Sequence, residues 1–554
     1  MKKSRDLRRL AAWGLVALTG ASAFTAWLAL RASSDLALGR ERLLRGDTAS
    51  ADAAFARARR WPGASTAARA GRAVSAARAG HATAETVSLP DLEALAPEAL
   101  VLSAVAESRL DAAGALADLA RRAGHPLGDL YAAALAFEQG DEAEARARAA
   151  TSPVPLASRG LGSRLVRALE AREEGARKLL FDRNGTLVAM VGHEGGIEAD
   201  LGAAPLLAGI RERLPALPEG DAARLSIDLD LSRVALEALG EHRGSIVLVE
   251  PRTGAVLAAV SDVRTATAEG AAAFTQRREP ASIAKLLTSA AAYRVGVDAD
   301  VEIKRMTCGG VERYGGKPLW CTFAAGPLEG LDHALALSCN VAFANLGTRL
   351  GTERMVAEYR FWGFDAGADA LLGAAGRVHT PPRTPRQLAD LSVGLELADV
   401  TPLHAALLAA VVANDGRMPE PRLVSGACGA LGLRDEPLPL SAGRDVLEPE
   451  VARRLRRAME AVAQYGTGVG LAPPGFPIAM KTGTAAEWGR GYHVNYIGMG
   501  PLPDPAIAFC VRVTNGRSSP AVTRAARDVT RCLLAALADR RPALESAAWR
   551  ERRL

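Results

Sequence analysis

The sequence predicts a mixed α+β protein, and three observations carry that prediction. Strand-like runs gather around 223–261 and 476–516, with mostly helical sequence between them. Before residue 150 the chain is rich in Ala and Arg at helical spacing and carries almost no strand signal. Residues 10–30, LAAWGLVALTGASAFTAWLAL, hold no charged residue across 21 positions. Strands that are distant in sequence, with helix between them, point to a single antiparallel sheet covered by helices. GSIVLVE and AVLAAVSD, with the three runs FPIAMKTGTAAEW, HVNYIGMGPL and AIAFCVRVTN, would supply a five-stranded sheet.

Each element has its own signal. The uncharged run is long enough to cross a bilayer, which takes about 20 apolar residues. Five basic residues against one Asp in MKKSRDLRR predict a cytoplasmic tail at 1–9, with everything after Arg31 sent outward. Ala21-Ser22-Ala23 has the small-x-small form of a cleavage site, yet the apolar run continues seven residues past it. The expectation is therefore an uncleaved single-pass transmembrane anchor in the inner membrane rather than a removed signal peptide.

Residues 31–150 read as a helical, TPR-like region. LLRGDTASADAAFARARR and LAFEQGDEAEARARAA share a Gly-Asp turn between helical runs, but their spacing is not regular at the ~34 residues of tetratricopeptide repeats. A helical spacer is the simpler reading, and a docking surface for a partner is the alternative. Pro153, Pro155, Pro215 and Pro218 punctuate a linker over 151–221. Inside it LLFDRNGTLVAMVG reads as a hairpin. ARLSIDLDLSRVALEALGEH gives a strand leading into a helix, and GSIVLVE and AVLAAVSD form a hairpin turned by Pro251-Arg252-Thr253-Gly254. FPIAMKTGTAAEW, HVNYIGMGPL and AIAFCVRVTN add three strands, AVTRAARDVTRCLLAALADR closes the fold as a helix, and 541–554 form a tail.

Composition narrows the function. At 554 residues the chain has room for two to four domains. The net charge of +6 comes from scattered Arg rather than a basic stripe with interleaved aromatics, so no nucleic-acid partner is expected. Six cysteines, at 308, 321, 339, 428, 510 and 532, form no CxxC pair and are too few for a disulfide framework. Cys308 and Cys321 could form one bridge. A zinc site from Cys308, Cys321, His333 and Cys339 is not expected, because the spacing is irregular.

The chemistry-bearing stretches lie in the second half. In EPASIAKLLTS, Ser282 and Lys285 are three apart at the start of a helix, so their side chains share one face. A serine hydroxyl is a poor nucleophile until a base takes its proton. A lysine buried among Ile283, Ala284, Leu286 and Leu287 can be that base, since desolvation disfavours its ammonium form. Ser338-Cys339-Asn340 interrupts the apolar helical run LDHALALSCNVAFANLG, placing a hydroxyl and an amide where they can bridge a lysine and hold a substrate amide. Lys481-Thr482-Gly483-Thr484 ends an apolar strand. Gly483 leaves room there for another backbone to approach, and the strand edge suits pairing with an extended peptide.

Taken in order, S-x-x-K, S-x-N and K-T-G resemble the signature set of the penicillin-binding proteins and serine β-lactamases. The chain is most similar to monofunctional class B penicillin-binding proteins, the membrane-anchored transpeptidases that cross-link peptidoglycan. SIDLDLSRVALEAL, GSIVLVEPRTGAVLAAVSD, SCNVAFANLG, MKTGTA, VTPLHAALLAAVVANDGRMPEPRLV and the DRNG turn at 182–185 carry that likeness. It covers roughly 222–540, which would be the transpeptidase domain.

The resemblance implies that Ser282 attacks the penultimate D-Ala carbonyl of a stem peptide, with Lys285 as base. Ser338 and Asn340 would relay a proton and hold the amide, while Lys481 and Thr482 bind the carboxylate. Backbone N–H groups of Ser282 and Thr484 would form an oxyanion hole. The amine of a second stem peptide would resolve the acyl-enzyme, and β-lactams would acylate the same serine. No cofactor or metal is implied. A glycan polymerase or wall scaffold would be the partner of the helical region.

Two departures stand out. Only about 70 residues, 151–221, are left for an upstream pedestal, and Gly394-Leu395-Glu396 stands where the family often has Gly-Gln-Gly. A class A β-lactamase is disfavoured by the lack of a Glu-x-x-Leu-Asn loop. A D,D-carboxypeptidase and, more remotely, a membrane-bound β-lactam sensor are the alternatives. His493 reads as a strand residue rather than a catalytic base.

Overall fold

The computed structural model describes residues 31–546 apart from 32, 61–63, 81–86, 96, 108, 153–160, 200–202, 208–209, 211–212, 263, 266–270, 488 and 490. The expected membrane segment, 10–30, lies outside the described residues. Among those described, no helix is long and apolar enough to cross a membrane.

The α+β expectation is met by a five-stranded antiparallel sheet. Its strands are β1 Gly244–Val249, β2 Val256–Ser261, β3 Ala479–Glu487, β4 Gly491–Gly500 and β5 Ile507–Gly516, in the order β3-β4-β5-β1-β2. The closing of the sheet is the pairing of β5 with β1, from Ala508 opposite Val249 to Val513 opposite Gly244. Every residue of β1 is buried, so its near-continuous apolar sequence reflects cover on both faces. Helix Ser519–Ala538 packs on the sheet and on helix Leu229–Leu239, and helix Pro402–Ala413 crosses β1, β4 and β5. That last helix is buried from Pro402 to Val412, and its lack of a polar face fits a helix sandwiched inside a domain. Thr401 caps it by accepting the His404 N–H.

A second sheet was only partly foreseen. Its six strands run Asp435–Pro437, Val424–Cys428, Ala222–Leu225, Lys178–Phe181, Leu187–Val191 and Ile197–Ala199. The hairpin read in LLFDRNGTLVAMVG supplies its fourth and fifth strands. Lys178–Phe181 pairs in parallel with Ala222–Leu225, which pairs on its other side with Val424–Cys428. A segment from deep within the second half of the chain therefore completes a sheet begun in the linker. Period-two alternation divides its side chains between two cores. Leu180, Ala223 and Leu225 face the catalytic-side core, while Leu179, Phe181 and Ala222 join the core of the helical region.

In that helical region consecutive helices pack on each other. The two Gly-Asp turns behave alike: Gly46 and Gly140 take φ of +79° and +82°, and Asp47 and Asp141 then cap the next helices by accepting the N–H of Ser50 and Glu144. A left-handed Gly followed by an acidic N-cap reverses the chain in two residues.

The Glu138 carboxylate holds the helical region to the second sheet, accepting the N–H groups of Ala430 at 3.1 Å and Leu431 at 2.7 Å. Burial raises its pKa. We expect Glu138→Ala to lower unfolding stability by about 1–3 kcal/mol by stranding two donors. Glu138→Gln, which keeps one acceptor oxygen, should cost less. Denaturant midpoints of the two variants check this.

Candidate active site

The turn that carries Ser282 is built by its neighbours. The chain enters through Pro280, makes one 3-10 turn over Ala281–Ala284 and continues as helix Lys285–Arg294. Ala281 sits at φ +55°, a left-handed conformation that costs a non-glycine residue about 1–3 kcal/mol. Its N–H donates to the Gly394 carbonyl at 2.8 Å. Gly394 is itself at φ +80°, and a Cβ there would lie 2.2 Å from the Ala281 oxygen and 2.7 Å from the Ala284 Cβ. Only glycine allows this approach. Two residues on, Glu396 adopts φ +60°, and its N–H donates to Glu279 Oε1 at 3.0 Å. The loop that departs from the Gly-Gln-Gly pattern thus keeps a left-handed third position with a non-glycine residue.

A second brace comes from the sheet and was missed by sequence reading. Arg512 of β5 is fully buried and donates to Asn495 Oδ1 at 2.7 Å, to the Gln276 carbonyl at 2.5 Å and to the Val400 carbonyl at 2.9 Å. Asn495 of β4 passes the connection on, its Nδ2 donating to the Glu279 and Pro280 carbonyls at 2.9 and 3.2 Å. The one available signal was an arginine inside the apolar strand AIAFCVRVTN, since a buried charge has partners. His493 is also on this brace, with Nε2 2.9 Å from the Glu279 carbonyl. Burial lowers its pKa to about 3, so it is a neutral strand residue donating from Nε2.

Three sequence-distant motifs meet behind the Ser282 turn. Lys285 is fully buried. Its amine reaches the Ser338 carbonyl at 2.6 Å, Ser338 Oγ at 3.1 Å and Asn340 Oδ1 at 2.8 Å. Lys481, also fully buried, reaches the same Ser338 Oγ at 3.0 Å and the Thr482 carbonyl at 2.7 Å. One hydroxyl thus joins two lysines. Ser338 is held at φ +55°, another strained position at the meeting point. Burial lowers the Lys285 pKa to about 7. Burial, and then the neighbouring Lys285, lower that of Lys481 well below its ordinary value. The Ser282 side chain is only partly buried, and among the described residues its hydroxyl makes no hydrogen bond.

The K-T-G segment lies on β3, the edge strand of the sheet. Gly483 faces the Ser282 turn: a Cβ there would stand 3.1 Å from the Pro280 oxygen and 3.2 Å from both Ala281 Cβ and Ser282 N. The Thr482 hydroxyl pairs with the Thr467 hydroxyl at 2.5 Å, a partner that sequence reading did not single out. Thr484 is half-buried on the same strand. Asn340 is fixed at both ends of its amide, because Nδ2 donates to the Trp320 carbonyl at 2.7 Å. In this structure that donor is therefore occupied rather than open to a substrate.

Among the described residues, Cys308, Cys321 and Cys339 come within 4.8 Å of one another beside this site. His333 stands apart from them, its Nδ1 accepting the Glu329 N–H. A cavity of about 230 Å³ bordered by Arg183, Arg224, Glu250 and Arg422 contains none of the eight predicted site residues.

Adding a side chain at Gly483 tests the close approach. We expect Gly483→Val to slow reaction of the Ser282 hydroxyl with an acylating probe roughly 10- to 100-fold by shifting the Ser282 turn, with little change in melting temperature. Acylation kinetics and thermal melts on the same variant separate the two effects.

Comparisons with known proteins fit this geometry. Residues 244–531 match the model of the penicillin binding protein transpeptidase domain family. The peptidoglycan D,D-transpeptidase PbpA of Mycolicibacterium smegmatis is 30% identical over 54% of this chain and 68% of its own length. PbpA of Mycobacterium tuberculosis is 28% identical over 50% of this chain and 63% of its own. MrdA of Acinetobacter baumannii is 28% identical over 56% and 53%. The chain thus spans about half to two thirds of the length of these relatives.

Solved structures establish the fold. The D,D-transpeptidase domain of an Eggerthella lenta peptidoglycan glycosyltransferase superposes with a TM-score of 0.56 at 23% identity, over 66% of this chain and 99% of that one. Penicillin-binding protein A of M. tuberculosis, solved as a ceftriaxone acyl-enzyme complex, gives 0.55 at 23% identity, over 65% and 98%. With the family model matched over more than half its length, the chain belongs to the penicillin-binding protein transpeptidase family.

Proposed function

We propose that the protein is a serine D,D-transpeptidase that cross-links peptidoglycan stem peptides through an acyl-enzyme on Ser282 and is acylated by β-lactams at the same hydroxyl. The observation that carries this reading is the fully buried Lys285 amine, which shares the Ser338 hydroxyl with Lys481 behind an unengaged Ser282. Two ammonium groups on one buried hydroxyl repel strongly, so the pair favours one neutral amine. Lys285, with its pKa near neutrality, takes the Ser282 proton as the hydroxyl attacks the penultimate D-Ala carbonyl.

The carbonyl oxygen becomes negative in the tetrahedral intermediate. The backbone N–H groups of Ser282 and Thr484 receive it, each such donor contributing a factor of about 100 to 1000 in rate. The substrate's terminal carboxylate lies by Lys481, Thr482 and Thr484. An anion there favours the ammonium form of Lys481, so substrate binding restores its charge. Ser338 then relays the proton held by Lys285 to the D-Ala amine as the C–N bond breaks, leaving Lys285 neutral again, and Asn340 holds the Lys285 amine in line. The second stem peptide's amine attacks the ester, Lys285 again serving as base. The open edge of β3 suits an extended peptide.

The surrounding organisation is proposed in the same reading. Residues 10–30 anchor the chain in the inner membrane, 31–150 form a TPR-like spacer that suits a glycan polymerase or wall scaffold, and 151–221 form a reduced pedestal. The transpeptidase domain, 222–540, acts outside the cytoplasm. The paired Gly-Asp turns and their acidic caps support the repeat character.

Fluorescent penicillin labels the wild-type chain and not Ser282→Ala in this account. Equal labelling of the two, or none of the wild type, would sink it. With lipid-linked substrate the product is cross-linked dimer, whereas accumulation of trimmed monomer would assign a carboxypeptidase instead.

A further inference from the structure

Three cysteines that the proposed reaction does not use stand directly behind the S-x-N motif. Cys308 ends the short strand Thr307–Cys308, and Cys321 follows the hairpin of Val311–Tyr314 and Lys317–Trp320. Cys339 lies between Ser338 and Asn340 and caps helix Asn340–Leu350, its sulfur accepting the Ala342 N–H. Cys321 is the central member: its Sγ is 3.6 Å from that of Cys308 and 3.8 Å from that of Cys339. All are thiols, Cys308 and Cys339 buried and Cys321 partly exposed.

The surroundings of Cys321 make it the reactive one. Its sulfur accepts the N–H groups of Asn340 at 3.2 Å and Val341 at 3.4 Å, at the N-terminal end of an 11-residue helix where the dipole favours negative charge. The Cys339 thiol hydrogen bond, ahead of these backbone donors, lowers the Cys321 pKa to about 5, against the opposing effect of burial. Such a sulfur is a thiolate at neutral pH, and the thiolate is the nucleophile in exchange chemistry. The same three sulfurs make a poor structural metal site. Among the described residues the group contains no histidine or carboxylate, and closed zinc sites take four ligands.

We propose that this cluster is a thiol–disulfide exchange site, in which Cys321 reacts with a disulfide oxidant and closes a bridge to Cys308, with Cys339 as the alternative partner. The Cys321 thiolate attacks one sulfur of the oxidant, forming a mixed disulfide and releasing one thiolate. The Cys308 sulfur, giving its proton to solvent, then displaces the second. Two protein thiols are oxidised and one disulfide is reduced to two thiols. The bridge staples the base of the hairpin whose Trp320 carbonyl accepts the Asn340 amide. It leaves Cys339 free to cap its helix. A Cys321–Cys339 bridge would instead tie the hairpin to the motif itself and pull on Ser338 and Asn340. Supply of oxidant rests on the extracytoplasmic placement proposed above. Penicillin labelling does not depend on it, so either proposal can fail alone.

The test treats the full-length chain with oxidised glutathione, denatures it, alkylates the remaining thiols and maps unreduced peptides by mass spectrometry. The proposal expects two fewer alkylated thiols than in the reduced sample, with the Cys308 and Cys321 peptides joined. Cys339→Ser keeps that link. Cys308→Ser moves it to Cys321–Cys339 and slows penicillin acylation about 10-fold, on the scale of a small misplacement in a catalytic site. Full alkylation of the oxidised wild type, loss of the link in Cys339→Ser, or release of one bound zinc per chain by a chelator from three otherwise unreactive thiols would overturn it.

Discussion

The structure depends on keeping a lysine amine uncharged and aimed. Lys285 has no exposed surface, and taking an ammonium ion out of water costs several kcal/mol even after relaxation. The protein meets that constraint by moving the ionisation equilibrium and by giving the amine three oxygens, from Ser338 and Asn340. A second buried lysine on the same hydroxyl penalises double charging further. The result is an amine with a neutral form accessible near pH 7, one turn along from Ser282, as the proposed role of base requires.

Holding that geometry takes the rest of the fold. Rigid elements approach the Ser282 turn from three sides: the Gly394 loop through the Ala281 N–H, the Arg512–Asn495 brace through the Glu279 and Pro280 carbonyls, and β3 through the bare Cα of Gly483. Non-glycine residues in left-handed conformations stand at these contacts, at Ala281 and Glu396, and a third, Ser338, stands where the two lysines meet. Backbone strain of this kind persists where surrounding packing over-determines it, and it is common at active sites. Here the buried arginine and the close glycines supply that packing.

Sequence legibility followed the range of the interactions. The motifs whose Lys285, Ser338, Asn340 and Lys481 side chains meet could be picked out beforehand because each is local, a polar group set in an apolar run, and their order along the chain is improbable by chance. The five strands were readable for the same reason. The partners of Arg512, Asn495 and Thr467 were not, because they lie on other segments of the chain; Arg512 stood out only as a charge inside an apolar strand, and Asn495 and Thr467 look unremarkable in their own strand and loop. The contribution of Val424–Cys428 to the second sheet was hidden likewise, as was the meeting of three irregularly spaced cysteines. The irregular spacing argued against a cluster, yet the hairpin at 311–320 folds its two ends onto the S-x-N helix.

The pH dependence of the second-order rate of penicillin acylation tests the buried neutral lysine most directly, since it reports the ionisation of the free enzyme's base. A lysine whose pKa is lowered to about 7 is increasingly neutral above that pH. The rate should therefore climb between about pH 5 and 8 and level off with a midpoint near 7. A midpoint near the ordinary lysine value of about 10.4, or a rate independent of pH across that interval, would contradict the account.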